Sequence, residues 1–285
     1  MSPFSVHSRR MTAQAQAFPI TLLVITYNEA HNIARCLESV AFAAEKLVVD
    51  SCSTDETVQI AESCGARVVQ QPWLGFGPQR NFAATQAAHD WILFLDADEC
   101  MTPELAREFE RRLPAILESH APGAELKRSM SYMGTPMRWY RPMAGERVGR
   151  FYHRARARWT DARVHEALRF DGKPLKFHAP FVHYHNPTLV HRYVKVLRYS
   201  ELKAQDWVER GRKPRIWACP FVYFAAFFKD YVLRLAFLDG ARGYAVAHVA
   251  ASYAVYKRLR LYEMTVHPPS RALAAEYMAR HGLGR

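Results

Sequence analysis

The sequence predicts an α/β fold, built on a mostly parallel sheet, that is followed by a helical C-terminal region. Short apolar segments alternate with segments of helical spacing over about 100 residues, which is typical of parallel α/β sheets. Polar clusters follow several of the apolar segments. A change in net charge then separates this part of the chain from a basic remainder.

Four short apolar segments rich in β-branched residues predict buried strands. They cover residues 20–25, 46–49, 67–70 and 91–95. Helical spacing of apolar residues predicts helices between and after them. These cover residues 32–40, 56–63 and 79–88, with one more helix whose N-cap is Thr102. The segment 75–78, which contains two glycines and a proline, is expected to be a loop.

Polar residues stand directly after three of the predicted strands, at residues 27–29, 50–51 and 96–98. Ligands of such sheets bind beyond the carboxyl ends of the strands. Two carboxylates at alternate positions, Asp96 and Asp98, can hold a hard divalent cation that keeps sites for water and phosphate oxygens. An ordinary turn is the alternative for this pair taken alone, and the matching clusters after the other strands favour the cation.

Net charge is unevenly distributed along the 285 residues. Residues 1–126 carry nine Lys and Arg against sixteen Asp and Glu, a net charge of −7, and the rest of the chain carries +19. The basic part predicts an anionic partner. A nucleic-acid binder is the rival class, but we find no recognised binding module, and the acidic strand end would repel phosphate without a cation. We therefore expect no nucleic-acid partner.

Four motifs occur in order: TYNE at 26–29, VVDSCSTDET at 48–57, GFGPQRNFA at 75–83 and FLDADE at 94–99. In order and spacing they resemble the nucleotide-sugar motifs of family 2 glycosyltransferases, which have the Rossmann-like GT-A fold. With VHE at 164–166 and FLDG-x-x-G at 237–243, the whole chain resembles the bacterial lipopolysaccharide core β-1,4-glucosyltransferase subgroup.

The resemblance implies a metal-dependent, inverting transfer of a hexose, with UDP-glucose as the expected donor and a lipopolysaccharide inner-core sugar as the expected acceptor. Thr26, Tyr27 and Glu29 would line the nucleoside pocket. Asp50 would contact the base, and Arg80 would lie near the base or the diphosphate. The metal side follows the fourth strand: Asp96 would face ribose and metal, and Asp98 would be the main ligand of Mg²⁺ or Mn²⁺. The cation would neutralise the leaving diphosphate.

Inverting transfer also needs a base, because the acceptor hydroxyl loses a proton as it attacks. Members of this family usually supply an Asp, often in a Glu-Asp pair, and this chain has no such pair in the corresponding region. By position, Glu166 is the predicted base, and a salt bridge to a nearby arginine is its structural alternative. Asp161 is the competing candidate. His165 is a candidate metal ligand or diphosphate contact.

The C-terminal region combines aromatic and basic residues. Residues 216–228 carry no charge but are shorter than the roughly 20 residues that span a bilayer. Helical spacing aligns Trp217, Phe221, Phe224 and Phe228 between basic residues, which fits a helix lying in a membrane interface. A core or a dimer interface is the alternative, so a homo-oligomer stays open.

These interpretations divide the chain into a flexible tail (1–18), a GT-A domain (19–185) and a helical, membrane-associating region (186–285). Within the GT-A domain we expect a donor part (19–126) and an acceptor part (127–185). Five cysteines without a CxxC pair, and no secretion signal, indicate the cytosol. The expected location is peripheral, on the cytoplasmic face of the inner membrane.

Two further functions compete with this interpretation. A sugar transferase acting on polyprenyl phosphate, or on another cell-envelope glycan, would share the donor motifs, although such enzymes usually carry clean transmembrane helices. A non-catalytic donor-binding protein is disfavoured by the intact Asp96, Asp98 and Glu166.

Overall fold

The structure of the chain is a computed structural model that describes residues 17–140, 147–160, 167–184 and 188–282. Within it the chain divides into two compact units. The first comprises Met1–Lys127 and Arg147–Phe181, and the second comprises Arg128–Glu146 and Val182–Arg285. The assignment of donor and acceptor roles to separate parts of the chain stays a prediction.

The first unit begins with the predicted strand–helix alternation. Its elements are β1 (Phe18–Thr26), α1 (Ile33–Glu38), β2 (Ala43–Asp50), α2 (Thr57–Ser63), β3 (Arg67–Gln70), α3 (Phe76–Gln86) and β4 (Trp91–Asp96). β1 pairs in parallel with both β2 and β4, and β2 pairs in parallel with β3. This arrangement confirms the predicted α/β fold, and it brings the carboxyl ends of β1, β2 and β4 to one edge.

The chain then adds shorter strands and one long helix. These are β5 (Glu99–Met101), α4 (Pro103–Leu117), β6 (Gly123–Tyr132), β7 (Thr135–Pro136), β8 (Arg147–His153), β9 (Ala157–Trp159), β10 (Leu168–Phe170) and β11 (Leu175–His183). The strand order is β3-β2-β1-β4-β8-β6-β11-β5, with β7 on β6, and β9 and β10 form a separate hairpin. Because β8 is antiparallel to β4, the sheet is mixed beyond its parallel half.

Side chains of β1 alternate between two cores, as the period of a strand requires. Ile20, Leu22 and Val24 belong to one buried cluster, and Leu23 and Ile25 belong to another. Both faces of the strand are therefore covered, which explains the uninterrupted apolar run in the sequence.

The third helix begins earlier than the sequence predicts. α3 starts at Phe76, so residues 76–78 are not a loop, and Gly75 precedes the helix with φ 97°. Pro78 stands in the first turn, where backbone N–H groups have no acceptor within the helix, so its missing N–H breaks no hydrogen bond. The N-cap prediction for α4 is confirmed: the Thr102 hydroxyl accepts a hydrogen bond from Leu105 N at 3.2 Å.

The second unit is mainly helical. It contains α5 (Leu189–Glu209), a 3₁₀ turn (Ile216–Ala218), α6 (Cys219–Phe228), a π-helical turn (Lys229–Leu233), a second 3₁₀ turn (Ala236–Asp239), α7 (Gly240–Val266) and α8 (Ser270–Arg280). α5 packs on α7 through Ala204, Trp207, Leu261 and Met264. A buried ion pair joins the same helices, with Arg260 Nε 2.8 Å from Glu201 Oε2.

The FLDG-x-x-G motif has a structural role in this unit. The Asp239 carboxylate accepts hydrogen bonds from the backbone N–H groups of Arg138, Trp139 and Tyr140, at 2.9, 3.0 and 2.7 Å. Gly243 lies so close to the Ala236 carbonyl oxygen that an added Cβ would come within 1.6 Å of it. The motif therefore holds the 138–140 segment and allows α7 to pass close to the preceding turn.

Candidate active site

The loops after β1 and β2 are tied together by side chains of the VVDSCSTDET motif. Asn28 takes a left-handed conformation, with φ 53°, and its backbone N–H donates to Ser53 Oγ at 2.8 Å. In return the Asn28 side-chain oxygen accepts from Thr54 N at 2.8 Å. Much of this motif therefore fixes the shape of the strand ends.

Asp50 ends β2 and is completely buried. Its carboxylate accepts hydrogen bonds from the backbone N–H of Ser53, at 2.8 Å, and from the Ser53 hydroxyl. The structure thus gives Asp50 a role in closing the turn, and its expected contact with the donor base remains a prediction.

Glu29 and Asp55 are also engaged by neighbouring groups. Glu29 N donates to Thr57 Oγ1 at 2.8 Å, and the Glu29 carboxylate accepts from Asn32 Nδ2 at 2.7 Å. Asp55 accepts from the backbone N–H groups of Ala30 and Thr57, at 3.2 and 3.0 Å. Desolvation of Asp55 opposes ionisation, but hydrogen bonds, first from the Thr57 side chain, outweigh it and lower the pKa.

Thr26 and Tyr27 differ sharply in exposure although they are adjacent. Thr26 is buried as the last residue of β1, and its carbonyl oxygen accepts from Ser51 N at 2.9 Å. The Tyr27 side chain is 56% exposed. An aromatic ring presented just beyond a strand end offers a surface on which a planar base can stack.

Two guanidinium groups hold the Asp96 carboxylate from either side. Arg80 Nη2 lies 3.1 Å from Asp96 Oδ1, and Arg150 Nη2 lies 3.0 Å from Asp96 Oδ2. Arg150 also binds buried Glu99 through two nitrogens, at 2.9 and 2.8 Å. The Glu99 carboxylate in turn accepts from Asp96 N at 3.1 Å. These contacts make the strand end a connected ionic cluster.

Aromatic rings enclose the cations of this cluster. The Arg80 guanidinium lies 4.8 Å from the Phe94 ring centroid and 4.4 Å from that of Trp159. Arg150 lies 5.2 Å from the Phe94 centroid. Burial by itself lowers the pKa of Arg150, but the carboxylates, first Glu99 and then Asp96, raise it above its ordinary value. Arg150 therefore stays charged beside Asp96.

The helix predicted over residues 79–88 would place Arg80 near its start, and the structure does not confirm this position. Arg80 is the fifth residue of α3, and its side chain is buried against Asp96 and the aromatic rings. The sequence interpretation missed Arg150 and Glu99 as members of the site. Their signal was available in part, since Arg150 and Glu99 each stand beside apolar residues of a strand, but neither the pairing nor the burial is visible in the sequence.

Asp98 lies two residues beyond β4 and is half-buried. It is close enough to the ionic cluster for its charge to contribute to the raised pKa of Arg150. In the described part of the chain no group of three or more His, Cys, Asp or Glu side chains is arranged as a complete metal site. A cation here would thus take part of its coordination from phosphate oxygens and water.

The predicted base lies outside the described residues, as do His165 and Asp161. The residues that flank this segment are described: Thr160 N donates to Ala167 O, and Ala167 N donates to Thr160 Oγ1, both at 3.0 Å. Trp159, which ends β9, contacts Arg80. The strand that leads into the segment thus ends beside the ionic cluster.

Comparison with known proteins agrees with this architecture. The family model described as Glycosyl transferase family 2 matches residues 21–165, just over half of the chain. An uncharacterized glycosyltransferase of Rickettsia bellii is 31% identical over 261 residues, which cover 87% of each chain. The lipopolysaccharide core biosynthesis glycosyltransferase LpsC of Rhizobium meliloti is 27% identical over 260 residues, or 86% of this chain and 92% of LpsC.

Among solved structures, glucosyl-3-phosphoglycerate synthase from Mycobacterium tuberculosis, in complex with Mn²⁺, UDP and glucosyl-3-phosphoglycerate, aligns with a TM-score of 0.32 and 25% identity. The alignment covers 39% of this chain and 44% of that one. The family match and the relatives aligned over most of their length establish that this chain is a family 2 glycosyltransferase with the GT-A fold.

Proposed function

We propose that the chain transfers a hexose, with inversion, from a nucleotide-diphosphate sugar to a sugar of the lipopolysaccharide inner core, and that it requires Mg²⁺ or Mn²⁺. The observation that carries this proposal is the set of carboxylates at the carboxyl ends of β1, β2 and β4, in a chain of this family. Glucose, carried by UDP, is the proposed hexose on the resemblance of the whole sequence.

Asp98 would hold the cation, with Asp96 and His165 as candidate further ligands. Carboxylate oxygens are the donor type that Mg²⁺ and Mn²⁺ prefer, so the residues present fit such an ion. The cation would supply charge neutralisation at the departing diphosphate. Because Asp96 already binds two arginines, it is better suited to keep these cations beside a phosphate than to act as the main ligand.

The nucleoside would bind against residues that follow β1 and β2. The exposed Tyr27 ring supports a stacking contact with the base, and the buried Asp50 carboxylate lies at the adjacent strand end. Thr26 and Glu29 would shape the same pocket. Arg80 would act on the diphosphate side through its ion pair with Asp96.

Glu166 is the proposed base, which would accept the proton of the attacking hydroxyl. Its support is its position in the sequence after Trp159 and Thr160, since Trp159 contacts Arg80 beside Asp96. Asp161 is the competing candidate for this proton transfer. Asp161 follows β9 more directly than Glu166 does. Single variants of each residue can show which of the two accepts the proton.

The acceptor would be lipid-linked and anionic, and the enzyme would work as a peripheral protein on the cytoplasmic face of the inner membrane. LpsC, which is similar over most of both chains, is named for lipopolysaccharide core biosynthesis. Among the described residues, Ile216–Leu233 is long and apolar enough to cross a membrane by length and composition, which by itself is weak support for spanning. Asp230, inside this segment, is buried and binds Tyr140 and Arg234, which favours a segment held on the protein.

A sugar transferase acting on polyprenyl phosphate, or on another cell-envelope glycan, is the alternative acceptor class. It shares the same donor site, so only the acceptor separates the two.

A donor screen with purified protein addresses the common step first: nucleotide release and thermal shift are measured across UDP-, GDP- and dTDP-sugars with Mn²⁺. A response to UDP-glucose supports the proposal. Saturable binding to RNA or DNA without a donor response would replace it with a nucleic-acid function.

Asp98→Ala is expected to lower transfer by about 1,000-fold or more, because a cation at the leaving group contributes several kcal/mol to transition-state stabilisation. Metal-dependent donor binding should disappear with it. Asp171→Asn, which alters an exposed carboxylate that makes none of the contacts described around Asp96, is the control. Full activity of the unaltered enzyme in chelator would remove the metal from the proposal.

Glu166→Gln is expected to lower transfer by about 100- to 10,000-fold, the usual contribution of a general base, while donor affinity is kept. Single-turnover transfer and donor titration measure the two effects separately. If Glu166→Gln retains near-normal kcat while Asp161→Asn loses it, the base is Asp161.

A further inference from the structure

The outward face of α6 is apolar and exposed. Trp217, just before the helix, and Phe221, Phe224 and Phe228 are 73%, 72%, 70% and 53% exposed. The other side of the helix packs on α7, where Tyr223 Oη lies 2.6 Å from His248 Nδ1. The four exposed aromatic residues, which we call the aromatic stripe, are therefore not the contact between α6 and the rest of the second unit.

A group of cations surrounds Trp207 of α5: Arg212 follows this helix, and Lys257 and Arg258 belong to α7. The distances from the Trp207 ring centroid are 4.3 Å to the Arg212 guanidinium, 5.6 Å to Lys257 Nζ and 5.7 Å to the Arg258 guanidinium. Lys203 Nζ lies 6.0 Å away and binds Asp206 at 2.8 Å. We call Arg212, Lys257 and Arg258 the Trp207 basic cluster.

The cluster is not neutralised within the described residues. No carboxylate of the described ranges lies within salt-bridge distance of its three members, whereas other basic residues of this unit have partners. Arg210 binds Asp206 at 2.7 Å, and Arg234 binds Asp230 at 2.6 Å. These paired cations and the members of the cluster cannot be told apart by their positions in the sequence.

Like charges in the cluster repel one another. Burial first, and then the charges of Arg258, Lys203, Lys229 and Arg212, lower the pKa of Lys257. Burial and the charge of Arg212 likewise lower the pKa of Arg258. An anion bound among these side chains would be attracted by each cation and would offset the repulsion between them.

The cluster and the aromatic stripe lie beside each other. Arg212 precedes Trp217 by five residues, and Lys257 and Arg258 belong to α7, on which α6 packs. Lys229 directly follows Phe228, the last residue of α6. An apolar aromatic face flanked by cations is the combination by which a helix binds the interface of an anionic bilayer.

A second copy of the chain is a weaker candidate for this surface. In a two-fold contact the same patch meets itself, so the unpaired cations of both copies would be brought together. An anionic leaflet would instead supply phosphates to each cation.

We infer that the aromatic stripe and the Trp207 basic cluster form one docking surface for an anionic phospholipid leaflet, with the aromatic rings at the headgroup boundary and Arg212, Lys257 and Arg258 on headgroup phosphates. This inference rests on the proposed function, which gives the reason for the chain to meet a membrane. It deepens that function by naming the residues that bind lipid.

Sedimentation of the full chain with lipid vesicles tests the docking surface. One set of vesicles contains phosphatidylcholine only, and the other also contains about 30% phosphatidylglycerol. Both are used at about physiological salt. Lys257→Gln/Arg258→Gln is compared with Arg271→Gln/Arg280→Gln, which removes two positive charges from α8. Phe221→Ser/Phe224→Ser on α6 is compared with Leu273→Ser/Tyr277→Ser, which removes two exposed apolar residues of α8.

We expect the unaltered chain to prefer phosphatidylglycerol vesicles. The Lys257/Arg258 variant should lose about 25-fold in affinity for them, since each basic residue at such a surface contributes about fivefold, and its control should lose much less. The Phe221/Phe224 variant should bind both vesicle types more weakly than its control.

Three results would overturn the inference: equal binding to both vesicle types, cluster and control variants that bind alike, or a Phe221/Phe224 variant that converts a dimer to a monomer with vesicle binding unchanged. The last result would assign the stripe to an interface between copies. Donor-induced thermal shift is measured on the same samples. If the unaltered chain responds to a donor but does not bind phosphatidylglycerol vesicles, only the docking surface is refuted. If it binds the vesicles but responds to no donor, only the proposed function is refuted.

Discussion

The ionic cluster around Asp96 and the basic cluster around Trp207 differ in whether their charges are neutralised by neighbouring side chains. In the first unit, Asp96 and Glu99 face two arginines, and every one of these ions has an opposite charge within about 3 Å. In the second unit, three cations share an aromatic ring and have no carboxylate at salt-bridge distance among the described residues. A neutralised cluster needs no further counter-ion, and an unneutralised one favours binding of an external anion.

The largest effect on stability is expected from Arg150→Met. This change removes the Arg150 partner of the buried Glu99 carboxylate and one of the two arginines on Asp96, which should cost about 3–5 kcal/mol of unfolding free energy. Urea unfolding followed by circular dichroism measures the loss. Arg107→Met is the control, because the Arg107–Glu104 pair is exposed and contributes little. A loss no greater than that of the control would mean that the cluster is not a stabilising unit.

A smaller effect is expected from Glu108→Gln on α4. Its carboxylate accepts hydrogen bonds from the backbone N–H groups of His178 and Ala179, at 3.0 and 2.9 Å, and from Arg112 at 2.9 Å. Burial opposes ionisation of Glu108, but these hydrogen bonds outweigh it and lower the pKa. The substitution should cost about 1–3 kcal/mol at neutral pH.

The pH dependence of this difference follows from the sign of the pKa shift. Because the pKa of Glu108 is lower in the folded than in the unfolded chain, its stabilisation is present above the unfolded pKa and is lost as pH falls through the folded value. Unfolding curves of the two proteins should therefore converge in acid. A difference that stays constant as the pH falls from neutral into acid would contradict the ionic role.

The smallest effect, and one of opposite sign, is expected from Lys257→Met. Removing one of several repelling cations should leave stability unchanged or raise it by less than about 1 kcal/mol. Lys203→Met is the matched control, since Lys203 has Asp206 as a partner and its removal should cause a small loss. Thermal unfolding in the absence of lipid compares the two. A larger loss for Lys257→Met than for Lys203→Met would show that this cluster, too, is neutralised within the chain.

Both units also show how far a motif can be interpreted without a structure. The FLDADE motif predicted carboxylates at a strand end, and Asp96 and Asp98 lie there. The VVDSCSTDET and FLDG-x-x-G motifs carry equally acidic residues, yet the carboxylates of Asp50, Asp55 and Asp239 accept hydrogen bonds from nearby backbone N–H groups. A carboxylate that shapes a loop and one that binds arginines at a strand end look the same in the sequence.

The sequence by itself determined the family, the alternation of β1–β4 with helices, and the position of the polar strand ends. These depend on local spacing, turn chemistry and the order of motifs, all of which are properties of neighbouring residues. The exposed aromatic stripe was also predictable from helical spacing, although its exposure was not.

Only the tertiary structure decided which charges meet. Arg150 is 54 residues from Asp96 along the chain, and Trp207 is on a different helix from Lys257 and Arg258. Pairing between such residues depends on how strands and helices pack, and ion-pair energies fall steeply with distance and exposure. A count of charges could therefore show that the second part of the chain is basic, but only the packed helices separate the cations already bound to carboxylates from those left to bind an anion.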